Sequence, residues 1–308
     1  MWRLLKTAAV FVQQALLRLA KRRRTQKPRI RIVCLSDTHS QTLAIPDGDI
    51  LIHAGDLSRS GHADEIQQAI SWLSSQPHRY KIVIAGNADL CLDGGATGMS
   101  RTDDAMRIDG GLDWGDVRYL ERSTTTLAFE DHGARRILTI YGDPSVPRCG
   151  PDGQEAFQYD TDQDYWRDSI PPGTDVLITH TPPKHILDEW DGASEGCASL
   201  LREVQRTRPL LHVFGHIHPA AGIRRVIWDH TLADSLPMLS SALTEGKNLS
   251  VQAETHGWVA LMRFLVGSAY QVACSWLVGG VESGIFVNAA CMSPDGMHLK
   301  NPPHVVYI

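Results

Sequence analysis

Five short apolar runs recur along the chain, and each of them ends in a polar or ionisable residue. They are RIRIVCLSD (29–37), GDILIHAGD (48–56), RYKIVIAGNAD (79–89), DVLITHTPP (175–183) and LLHVFGHIH (210–218). Runs of this length that are rich in β-branched residues and bounded by turn-forming residues predict buried strands. Between the second and third runs, ADEIQQAISWLSSQ (63–76) has the apolar spacing of a helix that packs on a sheet. Strand, loop, helix and strand in this order predict an α/β layered fold.

The polar ends of these runs are expected to meet in space. In α/β folds, ligand sites gather at the carboxyl ends of the strands, which is where all five runs carry Asp, Asn or His. Residues 92–115 and 143–165 are rich in Gly, Asp and Pro. We expect them to form surface loops over this edge and to shape the choice of substrate.

Composition and charge narrow the class of protein. The 308 residues are 43% hydrophobic, which suffices for a sizeable core. Residues 1–30 hold nine of the 30 Lys and Arg residues and no Asp or Glu, so the remainder carries 21 basic against 35 acidic residues, a formal charge of −14. This acidic body argues against nucleic acid as a partner and favours a small ligand. The six cysteines are far apart without a C-x-x-C motif, which predicts a reducing, cytoplasmic location.

Residues 1–28 form a basic extension that is set apart from the domain predicted over residues 29–308. The extension is apolar but interrupted by Lys6 and Arg18, and its charge lies at the wrong end for a secretory signal. A basic amphipathic helix on a membrane surface fits this pattern. A loosely helical tail fits it equally well, and a mitochondrial presequence fits it less well.

The domain is predicted to contain an apolar helical insertion around residues 226–281. Within it, residues 264–281 are uncharged over 18 positions, the lower limit for a membrane-spanning helix. FGHIH precedes this stretch and GIFVNAACMSPDG follows it as another expected core strand, so a single crossing would split one domain between two sides of a bilayer. A buried or interfacial helix is therefore predicted, with a membrane-dipping element as the alternative.

The motifs at the strand ends are individually weak, since each alone is more often a cap, a turn or a half-buried side chain. They are Asp37-Thr38-His39, Gly55-Asp56, Gly86-Asn87, His180 and Gly215-His216-Ile217-His218. In this order, the motifs resemble those of the calcineurin-like metallophosphoesterase superfamily, over residues 29–218 and again over 284–308. The stretches LIHAGDLSRSG, GDPSVP, ITHTPPKHILD, VNAA and NPPHVVYI are similar to its metallophosphoesterase-domain-containing branch.

This resemblance implies a layered metallophosphoesterase fold, that is, a β-sandwich of mixed sheets flanked by helices. It implies two divalent metal ions, of which one is held by Asp37, His39 and His218 and the other by Asn87, His180 and His216, with Asp56 bridging the pair. Such a mixed nitrogen and oxygen set suits Mn²⁺, Fe or Zn²⁺ best and Mg²⁺ less well. Two cations about 3.5–4 Å apart turn a bridging water into a hydroxide that attacks a phosphoester.

Position 88 departs from the family, which has at this position a His that protonates the leaving oxygen. Ala88 has neither donor nor charge, and general acid catalysis is typically worth about 10²–10⁴-fold in rate. We expect an intact metal site with weakened turnover, most so for alkoxide leaving groups. His53, His62 and His185 are nearby substitutes by sequence, but each is better explained as a strand or loop residue. Both a natural variant and an engineered substitution are compatible with Ala88.

Two functions follow as hypotheses. The first is a dinuclear metal-dependent phosphoesterase that hydrolyses a small phosphodiester or phosphomonoester, nucleotides included, with Asp56, Asn87 and position 88 in catalytic places. The second is a catalytically silent, metal-dependent nucleotide- or phosphate-binding module. Either could associate with a membrane surface through the basic helix of residues 1–28.

Overall fold

The computed structural model describes residues 29–94, 111–131, 134–151, 154–228 and 283–308. The strands within them are β1 Arg31–Leu35, β2 Ile50–Ala54, β3 Tyr80–Ile84, β4 Val117–Tyr119, β5 Ser123–Asp131, β6 Ala134–Asp143, β7 Val146–Pro147, β8 Gln158–Tyr159, β9 Val176–Thr179, β10 Glu189–Trp190, β11 Ala193–Ser194, β12 Leu211–Phe214, β13 Gly222–Ile227, β14 Ser283–Asn288 and β15 His304–Tyr307. The helices are α1 Ala63–Ser74 and α2 Ala198–Thr207, with 3₁₀ turns at Leu90–Leu92 and His218–Ala220.

The first sheet has the strand order β15-β1-β2-β3-β4. Strands β1 to β4 are parallel, and β15 lies antiparallel on the outer side of β1. The register pairs Leu35 with His53 and Ala54 with Ile84. The first three strands therefore end level with one another, and the polar residues that follow them meet at one edge.

The second sheet has the order β13-β14-β12-β9-β6-β5. Strands β6, β9, β12 and β14 are parallel, whereas β5 and β6 form an antiparallel hairpin. Both sheets are therefore mixed. Strand β14 lies inside the sheet, so residues near the end of the chain complete the same layer as β9 and β12.

The main hydrophobic core lies between the inner faces of the two sheets. It contains alternate residues of both, among them Ile32, Ile52, Ile82, Ile140, Ile178 and Val213. The intervening residues of the first sheet, such as Val33 and Leu51, pack on the outer face against Ile66 and Ile70 of α1. Because these strands are buried on both faces, they read as continuous apolar runs in the sequence. The predicted layered α/β fold with mixed sheets is confirmed.

The five predicted strands are confirmed as β1, β2, β3, β9 and β12, and the predicted helix as α1. The N-terminal extension 1–28 lies outside the described residues. The predicted apolar insertion begins within strand β13, whose last residues are 226–227. Residues 229–282, which include the stretch 264–281, lie outside the described part. In the described ranges, no helix has the length and hydropathy to cross a bilayer.

Candidate metal centre

The polar residues after β1, β2, β3, β9 and β12 come together where the edges of the two sheets meet. Hydrogen bonds join the two sheets at this place. His180, after β9, donates from Nδ1 to the carbonyl oxygen of Ala54 at 2.8 Å. The backbone N–H of His216, after β12, donates to both carboxylate oxygens of Asp37 at 3.1 Å.

Asp56 lies between two imidazoles and is almost fully buried. Its Oδ1 is 3.4 Å from Nε2 of His180, and its Oδ2 is 3.5 Å from Nε2 of His39. The N–H of Ala88 donates to Oδ1 at 2.8 Å and fixes the carboxylate from the side of β3. The two oxygens of Asp56 thus face different histidines, an arrangement that suits a ligand shared by two cations.

Three of the imidazoles are oriented by backbone carbonyl groups. The Nδ1 contacts are His39 to Ser58 O at 3.2 Å, His180 to Ala54 O at 2.8 Å and His218 to Ser293 O at 3.2 Å. A carbonyl oxygen only accepts, so each Nδ1 carries a proton, and each Nε2 faces a buried carboxylate, where a cation can take the place of any proton on it. Such outer hydrogen bonds are typical of metal-binding histidines. The structure therefore directs three ring nitrogens at one place.

The ligand atoms form two overlapping groups. Asp37, His39 and His218 lie with their ligand atoms within 4.8 Å of one another, and so do Asp37, Asp56 and His180. Asn87 joins the second group, since its Oδ1 is 2.9 Å from Nε2 of His180. His216 belongs to neither group, and its ring lies beside that of His180 with centroids 5.2 Å apart. The structure thus gathers six of the seven predicted ligands directly and places the seventh beside them.

The backbone is strained at four of the seven predicted ligands. Positive φ angles occur at Asp37 (53°), His39 (43°), Asp56 (56°) and His216 (67°). Left-handed conformations cost non-glycine residues of order 1–3 kcal/mol each, and such strain clusters at functional sites. The motif glycines permit the close approach between the loops, because a Cβ at Gly86 would overlap the carboxylate of Asp56.

The electrostatics of the centre favour positive charge. Burial opposes ionisation of Asp37 and Asp56, but the neighbouring imidazoles outweigh it and lower the pKa of both carboxyls. Burial disfavours the cationic form of His180, yet Asp56 and Asp37 together raise its pKa to about 10. Burial and the charge of His180 lower the pKa of His216 to about 4, so its ring is neutral.

This donor set fits a pair of divalent cations. Among the described residues, the ion-pair partners of Asp37 and Asp56 are all imidazoles, and none is Lys or Arg. Two buried carboxylates without a permanent cation are costly to maintain. Cations bound between these carboxylates and the inward-facing Nε2 atoms would offset that cost.

Ala88 keeps a role through its backbone although its side chain offers no chemistry. Its N–H holds Asp56, and its carbonyl oxygen accepts from the Ser58 hydroxyl at 3.4 Å. The contacts that hold the Asp56 carboxylate at this position therefore come from the backbone of Ala88 and do not depend on its side chain.

Asp89, which the motif reading did not single out, ties the loops after β2 and β3 together. Its buried carboxylate accepts four hydrogen bonds, from Leu57 N, Ser58 N, Ser58 Oγ and Gly86 N, at 3.2, 2.9, 2.8 and 2.8 Å. This carboxylate thus sets the spacing between the turns that carry Asp56 and Asn87.

Glu155 is a second residue that the sequence did not indicate. Asn87 donates from Nδ2 to Oε2 of Glu155 at 2.7 Å, and the N–H of Ala156 donates to the carbonyl oxygen of Asn87 at 2.8 Å. Burial raises the pKa of Glu155. The predicted loop 143–165 therefore reaches the site, whereas residues 95–110 of the other predicted loop lie outside the described residues.

The three histidines considered as substitutes for the missing acid have other surroundings. His53 is fully buried in β2, its Nε2 is 2.9 Å from the Thr38 hydroxyl, and burial lowers its pKa to about 3. His62 directly precedes α1 as its N-cap residue, and Nδ1 of His185 contacts the Ser194 hydroxyl at 3.0 Å. His53 is therefore neutral near pH 7 and lacks the extra proton of an imidazolium general acid.

A two-sheet sandwich with carboxylates and inward-facing imidazoles at its strand ends defines a metal-binding α/β domain. Residues 30–220 match the family model described as calcineurin-like phosphoesterase, and the chain belongs to this family. It is similar to metallophosphoesterase domain-containing protein 1 of Homo sapiens, with 36% identity over 212 residues, covering 63% of this chain and 62% of that protein.

Two further relatives and one solved structure are similar to the chain. A UPF0046 protein of Caenorhabditis elegans is 35% identical over 201 residues, 64% of this chain and 66% of that protein. "Probable rhamnogalacturonate lyase C" of Emericella nidulans is 44% identical over 211 residues, 68% of this chain but 19% of that protein. The chain thus spans less than two thirds of each of these three relatives. The crystal structure of TT1561 of Thermus thermophilus has a TM-score of 0.39 and 14% identity, covering 65% of this chain and 85% of that one.

Proposed function

We propose that the chain is a dinuclear metal-dependent phosphoesterase that hydrolyses a small phosphodiester or phosphomonoester. The observation that carries this proposal is the orientation of His39, His180 and His218, each tied through Nδ1 to a backbone carbonyl, with Nε2 directed at the buried carboxylates. Membership of the calcineurin-like phosphoesterase family supports the same reaction class.

The residues divide into two ligand sets around Asp56. In this proposal, Asp37, His39 and His218 would hold one cation and Asn87, His180 and His216 the other, with Asp56 available to both. When bound, such a cation pair would supply an acidified water as nucleophile and would neutralise charge on the phosphate oxygens. Mn²⁺, Fe and Zn²⁺ suit these nitrogen and oxygen ligands best, and Mg²⁺ suits them less well.

Ala88 sets the limit on turnover. The N–H of Ala88 keeps Asp56 in place, but no proton donor stands at this position for the leaving oxygen. We therefore expect slow hydrolysis of esters with alkoxide leaving groups and a smaller effect on phenolates, which leave without protonation.

The substrate and the location of the protein are inferred from charge and composition. The acidic body of the chain, outside residues 1–30, repels a polyanionic strand and suits a small phosphoester such as a nucleotide. The cysteine pattern supports a cytoplasmic protein. Residues 1–28 would allow it to associate with a membrane surface.

Hydrolysis of an aryl phosphodiester in the presence of Mn²⁺ tests the proposal. The Asp56→Asn variant keeps the shape of the side chain but loses the shared negative charge, so its activity is expected to fall to the uncatalysed rate. Asp162→Asn, at an exposed position, is the matched control and should retain activity. Equal activity in Asp56→Asn and the wild type would rule out the metal mechanism.

A second candidate function is favoured by Ala88 alone. A metal-dependent module that holds a nucleotide or phosphorylated ligand without turning it over needs the ligand set but no general acid. Calorimetry with AMP and Mn²⁺ would show tight binding, and no leaving group, aryl or alkyl, would be hydrolysed. Multiple turnover of any ester would exclude this candidate.

A further inference from the structure

We propose that Glu155 is a positioning residue that determines which end of the Asn87 side-chain amide faces the metal centre. The proposal rests on the proposed function, in which Asn87 is a metal ligand. The juxtaposition that carries it is the contact of Nδ2 of Asn87 with Glu155 on one side and of Oδ1 with His180 on the other.

The two ends of an amide have nearly the same shape, so packing alone does not decide between them. Only the carbonyl oxygen can bind a cation, while the NH₂ group donates two hydrogen bonds and would repel it. A carboxylate accepts hydrogen bonds and does not donate them, so the end of Asn87 that faces Glu155 is the NH₂ group, at 2.7 Å. The oxygen is thereby directed at Nε2 of His180, at 2.9 Å.

Glu155 is held firmly enough for this role. The next residue, Ala156, donates its N–H to the backbone oxygen of Asn87 at 2.8 Å, and the N–H of Phe157 donates to Asp93 at 2.6 Å. The side chain of Glu155 packs closely on Gly150, where an added Cβ would be 2.6 Å from its Cγ.

This role is distinct from that of the motif residues. Glu155 lies 68 residues beyond Asn87, in a loop that carries none of the seven predicted ligands. A chain with another residue at this position would lose the orientation of the amide while keeping all seven predicted ligands.

The test measures Mn²⁺ affinity by calorimetry on the full chain after chelator treatment. Glu155→Met removes the acceptor at similar length and is expected to weaken binding about 10–100-fold, the usual cost of losing an outer-shell partner. Glu155→Gln can still accept the hydrogen bond from Asn87 through its Oε1, so its Mn²⁺ affinity should fall less. Glu195→Met, at an exposed position, should bind as the wild type does.

A second background separates positioning from a merely structural role. In Asn87→Asp both terminal atoms are oxygens, so no orientation is required, and Glu155 adds only repulsion. Glu155→Met should therefore increase Mn²⁺ affinity in that background. If Glu155→Met lowered Mn²⁺ affinity equally in the wild-type and Asn87→Asp backgrounds, the inference would be overturned. Unchanged Mn²⁺ affinity in the single Glu155→Met variant would overturn it as well. A wild-type chain that binds no Mn²⁺ would instead overturn the proposed function itself.

Discussion

Gly86→Ala is expected to damage the metal centre and the stability of the domain together. Gly86 lies between the turn of Asp56 and the ring of His180. A Cβ at this position would overlap Oδ1 and the backbone nitrogen of Asp56 and would lie 2.7 Å from Cε1 of His180. Ordinary contacts between carbon atoms are about 3.5–4.0 Å, so one of the two ligands has to move by roughly 1 Å.

The size of the effect follows from how firmly these neighbours are held. His180 donates to Ala54 O and Asp56 accepts from Ala88 N, so neither can swing aside as a surface side chain would. Overpacking of a rigid core costs about 1–3 kcal/mol. For a domain of this size, that corresponds to a fall in Tm of about 2–12 °C. Displacing a ligand by roughly 1 Å should also lower Mn²⁺ affinity by about tenfold or more.

Two measurements check this prediction: thermal unfolding in the presence of chelator and Mn²⁺ binding by calorimetry. Gly94→Ala is the matched control, because a Cβ at Gly94 meets nothing within 4 Å and no left-handed φ angle is required there. If Gly86→Ala unfolded at the same temperature as Gly94→Ala and bound Mn²⁺ equally well, the packing argument for the glycine would be refuted.

Four further predictions concern catalysis, stability and pH. Ala88→His should raise kcat on an alkyl phosphodiester by about 10²–10⁴-fold and on an activated aryl ester far less. Asp89→Ala leaves three buried N–H groups without an acceptor, at a cost of about 1–3 kcal/mol each, so this variant should fail to fold. Asp89→Asn keeps one acceptor oxygen and should lose less stability in denaturant melts. Burial lowers the pKa of His180, but the charge of Asp56 outweighs burial and brings the pKa up to about 10. A cation that binds His180 must displace a proton from its ring, so Mn²⁺ affinity should rise about tenfold per pH unit between about pH 6.5 and 8.5. Removal of residues 284–308 takes β14 out of the second sheet and Ser293 away from His218, so no cooperative melting transition should remain.

Each of these four has a contrary outcome. Equal gains on alkyl and aryl esters in Ala88→His would exclude a proton-donor role at that position. Wild-type stability of Asp89→Ala would show that water satisfies the freed donors. Mn²⁺ affinity independent of pH would mean that no proton is displaced from His180. A folded chain without residues 284–308 would contradict the assigned place of β14.

Part of the fold was predictable because its signals are local. Strands β1, β2, β3, β9 and β12 are buried on both faces, so each appears as a continuous apolar run. The β5–β6 hairpin gives no such run, since Leu127 and Phe129 are buried while Thr126, Ala128 and Glu130, which alternate with them, are more exposed. A strand with one buried face needs its partner before its register can be known.

The candidate site also has a part that the sequence predicted and a part that it did not. The types and order of its seven predicted ligands come from the motif resemblance. That they meet at one edge was predictable because each lies within four residues of the end of a strand and parallel strands end at a common edge. Glu155 carried no signal, since its contact with Asn87 exists only when a loop 68 residues further along the chain folds back. Asp89 is adjacent to the motif, but its role depends on donors from a turn 31 and 32 residues earlier.

The sequence by itself determined the layered fold and the family and predicted the seven ligands, because these depend on local hydrophobic pattern and motif order. The tertiary structure decided how the ligands are oriented. The carbonyl that turns His180 comes from Ala54, 126 residues away, and the one that turns His218 comes from Ser293, 75 residues away. An imidazole or an amide can turn either of its two ends toward the site without any change in its covalent structure. Only the partners that folding brings to the other end determine which atom faces the metal centre.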